Sequence, residues 1–207
     1  MKKKISIIIR TKNEEGWILP CLEKVYSQTL KNIEVIIVDN HSKDKTIKKI
    51  KKFPVKIVKI KKFLPGKAIN LGIKKSTGEI IVCLSAHCLP VDNKWLENLI
   101  KPLKYKKVAG VYGRQQPMPY STDLDKRDLI TIFGLDKKTQ YKDPFFHNAN
   151  SAFTKKLWRK IPFDNSITNI EDRIWGKKVI SKGYKIIYQP TASVFHWHGV
   201  HQDQNAT

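Results

Sequence analysis

Polar side chains stand at the ends of apolar runs in this chain, where an open sheet would gather them. The run Ile33 to Val38 ends in Asp39-Asn40, and a polar turn, His41-Ser42-Lys43-Asp44-Lys45-Thr46, follows. The run Ile5 to Ile9 ends in the same way, in Arg10-Thr11-Lys12-Asn13-Glu14. Ligands of open α/β sheets bind beyond the carboxyl ends of the strands. A carboxylate there accepts hydrogen bonds from a base or a ribose, so two consecutive strand ends of this kind point to a nucleotide pocket. Farther along, Glu171 and Asp172 open a predicted helix, and His196, His198 and His201 crowd toward the C-terminus. In a strand, His196 and His198 point to the same face.

The elements that must position these groups are legible in the first half. Strands are predicted at Ile5–Arg10, Ile33–Asp39, Val55–Ile60, Glu79–Leu84 and Val108–Gly113. Helices are predicted at Glu15–Gln28, Lys43–Lys52, Lys67–Lys75 and Asn93–Leu103, with Ser42 as cap of the second and Pro54, Pro65 and Pro90 in connections. Such alternation implies parallel βαβ units with both sheet faces covered. The second half is less regular. Arg114 to Pro119 and Asp136 to Pro144 read as loops. Ile170 to Lys182 reads as a helix capped by Thr168 or Asn169 and stopped by Gly183. Tyr184–Tyr188 and Ala192–His196 read as two short strands. The expected parse is one domain over 1–207, with a nucleotide half (1–113) and an acceptor half (114–207).

Composition narrows the classes. The chain has 207 residues, 41% of them hydrophobic, which suits one core. No apolar run approaches the roughly 18 residues of a membrane span, and the one after Met1-Lys2-Lys3-Lys4 is too short for a signal peptide, so a cytoplasmic protein is expected. Cys21, Cys83 and Cys88 have neither the number nor the spacing of a disulfide framework or zinc site, and Cys83 reads as a small buried residue. The net charge of +22 draws anionic partners: a nucleic acid, a membrane surface or an anionic substrate. The lysines are dispersed rather than clustered with aromatics, which disfavours nucleic acid and leaves a solvated lysine-rich surface or the inner face of an anionic membrane.

Taken in order, these motifs resemble a family 2 glycosyltransferase of the GT-A fold: a Rossmann-like, mostly parallel sheet flanked by helices. The resemblance runs from Ile5 to about His198. It rests on Ile7-Ile8-Ile9-Arg10-Thr11-Lys12-Asn13-Glu14, on Val38-Asp39-Asn40 through Thr46, on Gly66-Lys67-Ala68-Ile69-Asn70-Leu71-Gly72-Ile73 with Thr77-Gly78-Glu79, on Gly110-Val111-Tyr112-Gly113-Arg114-Gln115 and on Asn148-Ala149-Asn150-Ser151-Ala152-Phe153. It implies transfer of a sugar from a nucleoside diphosphate sugar to an acceptor hydroxyl. By that likeness Thr11, Asn13, Glu14, Asp39 and Asn40 line the nucleotide site, and Lys67 and Asn70 lie near a helix start suited to a diphosphate. Arg114 and Gln115 reach the donor, Asn148, Asn150 and Trp175 face the acceptor, and Asp172, with Glu171 as second choice, is the general base of an inverting displacement. The run from Arg114 is similar to that of rhamnosyltransferase-like members and implies a deoxyhexose donor.

One motif departs from the family. Where the family places Asp-x-Asp to hold a divalent cation, this chain has Ser85-Ala86-His87. Three readings stay open. In one, His87, with His198 and then His196 next in order, holds a softer ion such as Mn²⁺ rather than Mg²⁺. In another, His87, Lys67 and Arg114 neutralise the departing diphosphate themselves. In the third, His87 is structural and the protein is a nucleotide-sugar-binding pseudoenzyme. The expected activity is synthesis of cell-surface polysaccharide or glycolipid on a saccharide or lipid-linked acceptor. A nucleotidyltransferase is the enzyme rival, disfavoured by the single glycine in Thr11–Gly16.

Overall fold

The computed structural model describes residues 3–197. His198, expected to face a cation, lies outside the described residues. The first strands follow the apolar runs: β1 (Ile5–Thr11), β2 (Ile33–Asp39), β3 (Val55–Lys59) and β4 (Ile80–Ser85) pair in parallel. The helices between them are α1 (Ile18–Tyr26), α2 (Thr46–Ile50) and α3 (Pro65–Lys75). The first two are shorter at both ends than the sequence implied, whereas α3 begins two residues earlier, at Pro65, where a missing N–H costs nothing.

The second half completes the same sheet. The chain turns through Ala86 and His87 into β5 (Cys88–Pro90), then forms α4 (Trp95–Ile100) and a 3₁₀ turn. There follow β6 (Val108–Pro117), α5 (Asp123–Ile132), β7 (Lys138–Gln140), β8 (Asn150–Thr154), α6 (Lys155–Lys160), α7 (Glu171–Ser181) and β9 (Lys185–His196). The strand order is β3-β2-β1-β4-β8-β6-β9-β5, with β7 also on β9. The antiparallel insertion of β8 between β4 and β6 makes the sheet mixed. Helices α1, α2 and α4 cover one face and α3, α6 and α7 the other, each over its own apolar cluster.

Several expectations are corrected here. Arg114 to Pro117 continues β6 rather than forming a loop, and β7 sits within the segment read as Asp136–Pro144 loop. The two short strands near the C-terminus are one strand, β9, whose register slips between Gln189 and Val194 against β6. Pro190 falls in that slip, where no ladder hydrogen bond is required of it. Neither Thr168 nor Asn169 caps α7. The capping position is Ile170, left-handed at φ 53° with no side-chain cap. Ser42 does not cap α2, which begins at Thr46.

Ser42 instead belongs to a latch between the first two strand ends. Buried Asp39, 1% exposed, accepts from the Ser42 hydroxyl at 2.6 Å, from the Ser42 amide at 3.2 Å and from the Thr11 hydroxyl at 3.3 Å. The two loops then exchange bonds along their length. The Asn13 amide donates to Ser42 Oγ and the Lys43 amide to Asn13 Oδ1. The Glu14 amide donates to Thr46 Oγ1, the Glu15 amide to Asp44 Oδ2 and the Lys45 amide to Glu15 Oε2. Left-handed Asn13 (φ 55°) and His41 (φ 54°) turn the chain at each side.

Two outcomes are expected. Asp39→Ala strands the Ser42 and Thr11 donors, lowers stability by about 1–3 kcal/mol and speeds hydrogen exchange at the Glu14, Glu15, Lys43 and Lys45 amides; unchanged protection there contradicts the latch. At Gly176 in α7, an added Cβ lies 2.1 Å from the Pro144 carbonyl oxygen. Gly176→Ala therefore lowers the urea midpoint by the equivalent of about 1–3 kcal/mol, and an unaltered midpoint refutes that close approach.

Candidate active site

The parallel strands β1 and β4 deliver Arg10 and Ser85 side by side, since these two residues are partners in the ladder. Just past Ser85 the chain turns, and β5 pairs with the end of β9 so that Cys88 faces His196. That register sets the His87 and His196 rings against each other, 5.2 Å between centroids and 14° between planes. From the opposite side, α7 brings Glu171 and Asp172 in its first turn, where the helix dipole favours acids. The segment before β8 brings His147. These groups wall one cleft of about 570 Å³, together with Thr168, Asn169, Ile170 and Arg173.

The two neighbouring acids differ in surroundings. Glu171 is 5% exposed. Its carboxylate meets the Arg10 guanidinium at 3.3 Å and accepts from the Asn148 side-chain amide at 3.2 Å. Asp172 is only partly buried, and accepts one bond at each oxygen, from the Asn148 backbone amide (3.2 Å) and the Arg173 amide (2.8 Å). Carboxylate lone pairs therefore remain open toward the cleft at Asp172. Burial pushes the partly enclosed His147 below the usual histidine range; the carboxylates of Asp172 and Glu171 oppose this, while Arg10 and Arg173 add to it. Its Nδ1 accepts from the Ala149 amide at 3.3 Å, so the proton of the neutral ring sits on Nε2. On the other wall, His87 Nδ1 is 2.9 Å from Glu14 Oε1.

Of the residues singled out in the sequence as site candidates, Ser85, His87, Glu171, Asp172 and His196 share this cleft. Asp39 lies outside its lining and is held in the latch, as are the side chain of Asn13 and the hydroxyl of Thr11. Asn40 is partly exposed and its amide donates to the Thr11 carbonyl. Lys67 is exposed at the start of α3, and Ala86 is fully buried. Gln115 is 1% exposed, and both polar atoms of its side chain have no hydrogen-bond partner among the described residues.

Other assignments are corrected by packing. Asn70, expected on the donor, is 4% exposed: its amide donates to the Phe163 carbonyl and Asn165, and its oxygen accepts from Trp158 Nε1. Asn150, expected on the acceptor, is fully buried; it accepts from Trp95 Nε1 and donates to the Arg114 and Ala192 carbonyls. Trp175, also expected on the acceptor, is a core residue, 1% exposed and packed on Phe163, Phe146 and Phe153. Asn148 is 2% exposed and holds Glu171 and Asp172 instead of meeting a ligand. Arg114 commits its Nε to the Phe133 carbonyl at the end of α5.

Sequence reasoning missed Arg10, His147 and Arg173. The signal for Arg10 was present, since it closes the first apolar strand next to the polar loop. His147 directly precedes the Asn148-Ala149-Asn150 motif but lies in the aromatic run Phe145-Phe146, which reads as core. Nothing in the sequence announces the left-handed Ile170, because β-branched residues avoid that region.

A divalent cation has limited protein ligands here. Among the described residues no group of three or more His, Cys, Asp or Glu is arranged to hold a metal ion. The donor set offered is the imidazoles of His87 and His196 with the neutral Ser85 hydroxyl, which suits Mn²⁺ better than Mg²⁺.

The chain is 25% identical over 209 residues to an O-antigen chain rhamnosyltransferase, RfbN, of Salmonella typhimurium, covering 94% of this chain and 67% of that one. It is 28% identical over 207 residues to a dolichyl N-acetyl-alpha-D-glucosaminyl phosphate 3-beta-D-2,3-diacetamido-2,3-dideoxy-beta-D-glucuronosyltransferase of Methanococcus voltae, covering 90% of this chain and 64% of that one. The chain thus spans about two thirds of the length of these relatives. The fold matches a Pyrobaculum calidifontis mannosyltransferase solved with GDP-Man and Mn²⁺, with TM-score 0.76 and 22% identity over 99% of this chain and 59% of that one. It also matches S. aureus TarS solved with UDP, with TM-score 0.72 and 17% identity over 94% of this chain and 60% of that one. The mixed sheet flanked by helices is therefore the GT-A arrangement. The model of Glycosyl transferase family 2 matches residues 6–162, and the chain belongs to that family.

Proposed function

We propose that this domain transfers a sugar, with inversion, from a nucleoside diphosphate sugar to a hydroxyl of a saccharide or lipid-linked acceptor in the synthesis of cell-surface polysaccharide or glycolipid. The observation that carries the reading is the division of labour between two adjacent acids. Asp172 keeps open lone pairs on the cleft, while Glu171 is buried against Arg10 and Asn148. Asp172 is then the general base. As the acceptor oxygen bonds to the anomeric carbon, Asp172 takes the hydroxyl proton. The bond from that carbon to the diphosphate oxygen breaks, and the nucleoside diphosphate leaves. A carboxylate suffices because the hydroxyl becomes acidic only as it bonds. Glu171 is a positioning residue that holds Arg10 and, through Asn148, the amide that orients Asp172.

Residues 1–113 serve the donor and 114–207 the acceptor in this reading. Thr11, Asn13 and Asp39 shape the donor loops, while Asn40, Lys67 and Ser85 present groups to the nucleotide and its diphosphate. His87 would hold a divalent cation such as Mn²⁺ there, supplying Lewis-acid neutralisation of the departing diphosphate. Glu14 fixes the His87 ring for either role. No helix among the described residues is long and apolar enough to cross a membrane. The charge of +22 supports peripheral attachment to the anionic cytoplasmic leaflet.

Asp172→Asn is expected to lower transfer by about 10²–10⁴-fold while nucleotide binding persists; full activity in that variant removes the base assignment. Glu171→Gln differs from it in also lowering stability, by about 1–3 kcal/mol, and equal stability of the two variants contradicts the positioning role. Binding to vesicles of anionic lipid should weaken as salt rises. Salt-independent binding, or none, counts against surface attachment.

A further inference from the structure

Three aromatic rings outside either apolar cluster meet beside the cleft. Trp17, just before α1, stacks on Trp197, with 5.2 Å between centroids and 29° between planes. Tyr120, in the turn after β6, lies 5.2 Å from Trp197 at 46°. The three come from separate parts of the sequence, yet all hang on the segments that carry the catalytic wall. The Trp197 amide donates to the His87 carbonyl at 3.3 Å. The Trp17 amide donates to the carbonyl of Glu14, whose carboxylate meets His87. Pro117, at the end of β6, pairs with His196.

These rings are not needed to close the core. Trp95, Trp158 and Trp175 do that, at 0%, 8% and 1% exposed, whereas Tyr120 is 62% exposed and Trp17 and Trp197 are partly exposed. Aromatic surface left in contact with water, on the segments that carry His87 and His196 of the cleft wall, points to a binding site. We propose that Trp17, Trp197 and Tyr120 form an acceptor subsite, a shelf that binds a pyranose ring of a saccharide acceptor through its C–H face. The proposal rests on the transferase reading above and names the acceptor's contact within it. A pyranose is apolar across one face and polar around its rim. The rings match the face, and the rim is left to the polar cleft and to water. Interfacial tryptophan and tyrosine also serve membranes, but Trp197 directly follows cleft-lining His196 and is bonded to the backbone of His87, on the wall across from Asp172. Binding energy gathered on such a shelf, away from the reacting bond, holds that hydroxyl in place for attack.

The test is a titration of the full chain, labelled at the tryptophan indole N–H, with a panel of methyl pyranosides (rhamnoside, mannoside, glucoside, galactoside and N-acetylglucosaminide). At least one is expected to move the Trp17 and Trp197 signals while Trp95, Trp158 and Trp175 stay put. Trp197→Ala and Tyr120→Ala should each weaken that binding about three- to ten-fold, with cooperative unfolding retained and unchanged affinity for the nucleoside diphosphate that binds best among UDP, GDP, CDP and dTDP. The proposal is overturned if no pyranoside moves the two signals while a nucleoside diphosphate does bind the protein. It is equally overturned if both variants bind the pyranoside as wild type does, if they lose the nucleotide instead, or if anionic vesicles move the signals and pyranosides do not. If no nucleoside diphosphate binds wild type, the transferase reading fails, and the shelf as an acceptor subsite fails with it.

Discussion

The ion pair between Arg10 and Glu171 joins the end of the first strand to the start of α7, 161 residues later. Both side chains are largely withdrawn from water, 21% and 7% exposed, so neither charge is tolerable without the other. Glu171 spends its second contact on Asn148, and Asn148 spends its backbone amide on Asp172. One buried charge thereby fixes three segments: the parallel half of the sheet, the strand inserted between β4 and β6, and the helix bearing the exposed acid. The cleft exists because these segments are pinned to one another at the carboxyl end of the sheet. The adjacent acids then have different fates for a physical reason. Glu171 is buried in a polar network, whereas partly exposed Asp172 opens onto the cleft.

A second constraint shapes the other wall. The latch around Asp39 consumes polar groups of both strand-end loops, leaving the carboxylate of Glu14 to meet His87. Left-handed backbone at Asn13, His41 and Ile170 brackets the region. Asn13 is suited to that conformation, but for Ile170 it costs about 1–3 kcal/mol, a strain that such sites hold only when their surroundings over-determine it. Here the residue next to Ile170 is Glu171, tied on two sides, and the strain sits at the mouth of the cleft.

The parallel half was legible because apolar runs of five or six residues ending in polar turns carry their own boundaries. The antiparallel half was not. Asn150 to Phe153 was quoted as a motif, yet its pairing between β4 and β6 depends on partners far away in sequence. The strand β9 looked like two because Pro190 and its register slip interrupt the pattern. Among site residues, Asp172 and His87 were singled out by the family resemblance, and both line the cleft. Asn70, Asn150 and Trp175 misled because a buried amide or indole satisfied by neighbours looks the same in sequence as one awaiting a ligand. Arg10 was overlooked as the last residue of a strand, although its ladder partner is Ser85, at the one motif that departs from the family.

In the proposed reading the cleft between His87 and Asp172 grips an activated sugar by its nucleoside diphosphate. The most direct measurement is a thermal-shift screen of nucleoside diphosphates and their sugars, with and without Mn²⁺, because a ligand that binds only the folded chain raises its melting temperature in proportion to occupancy. At least one nucleotide should raise the melting temperature, and the corresponding sugar nucleotide should do so as well. A flat response to every nucleotide, in both the presence and the absence of Mn²⁺, would contradict the account.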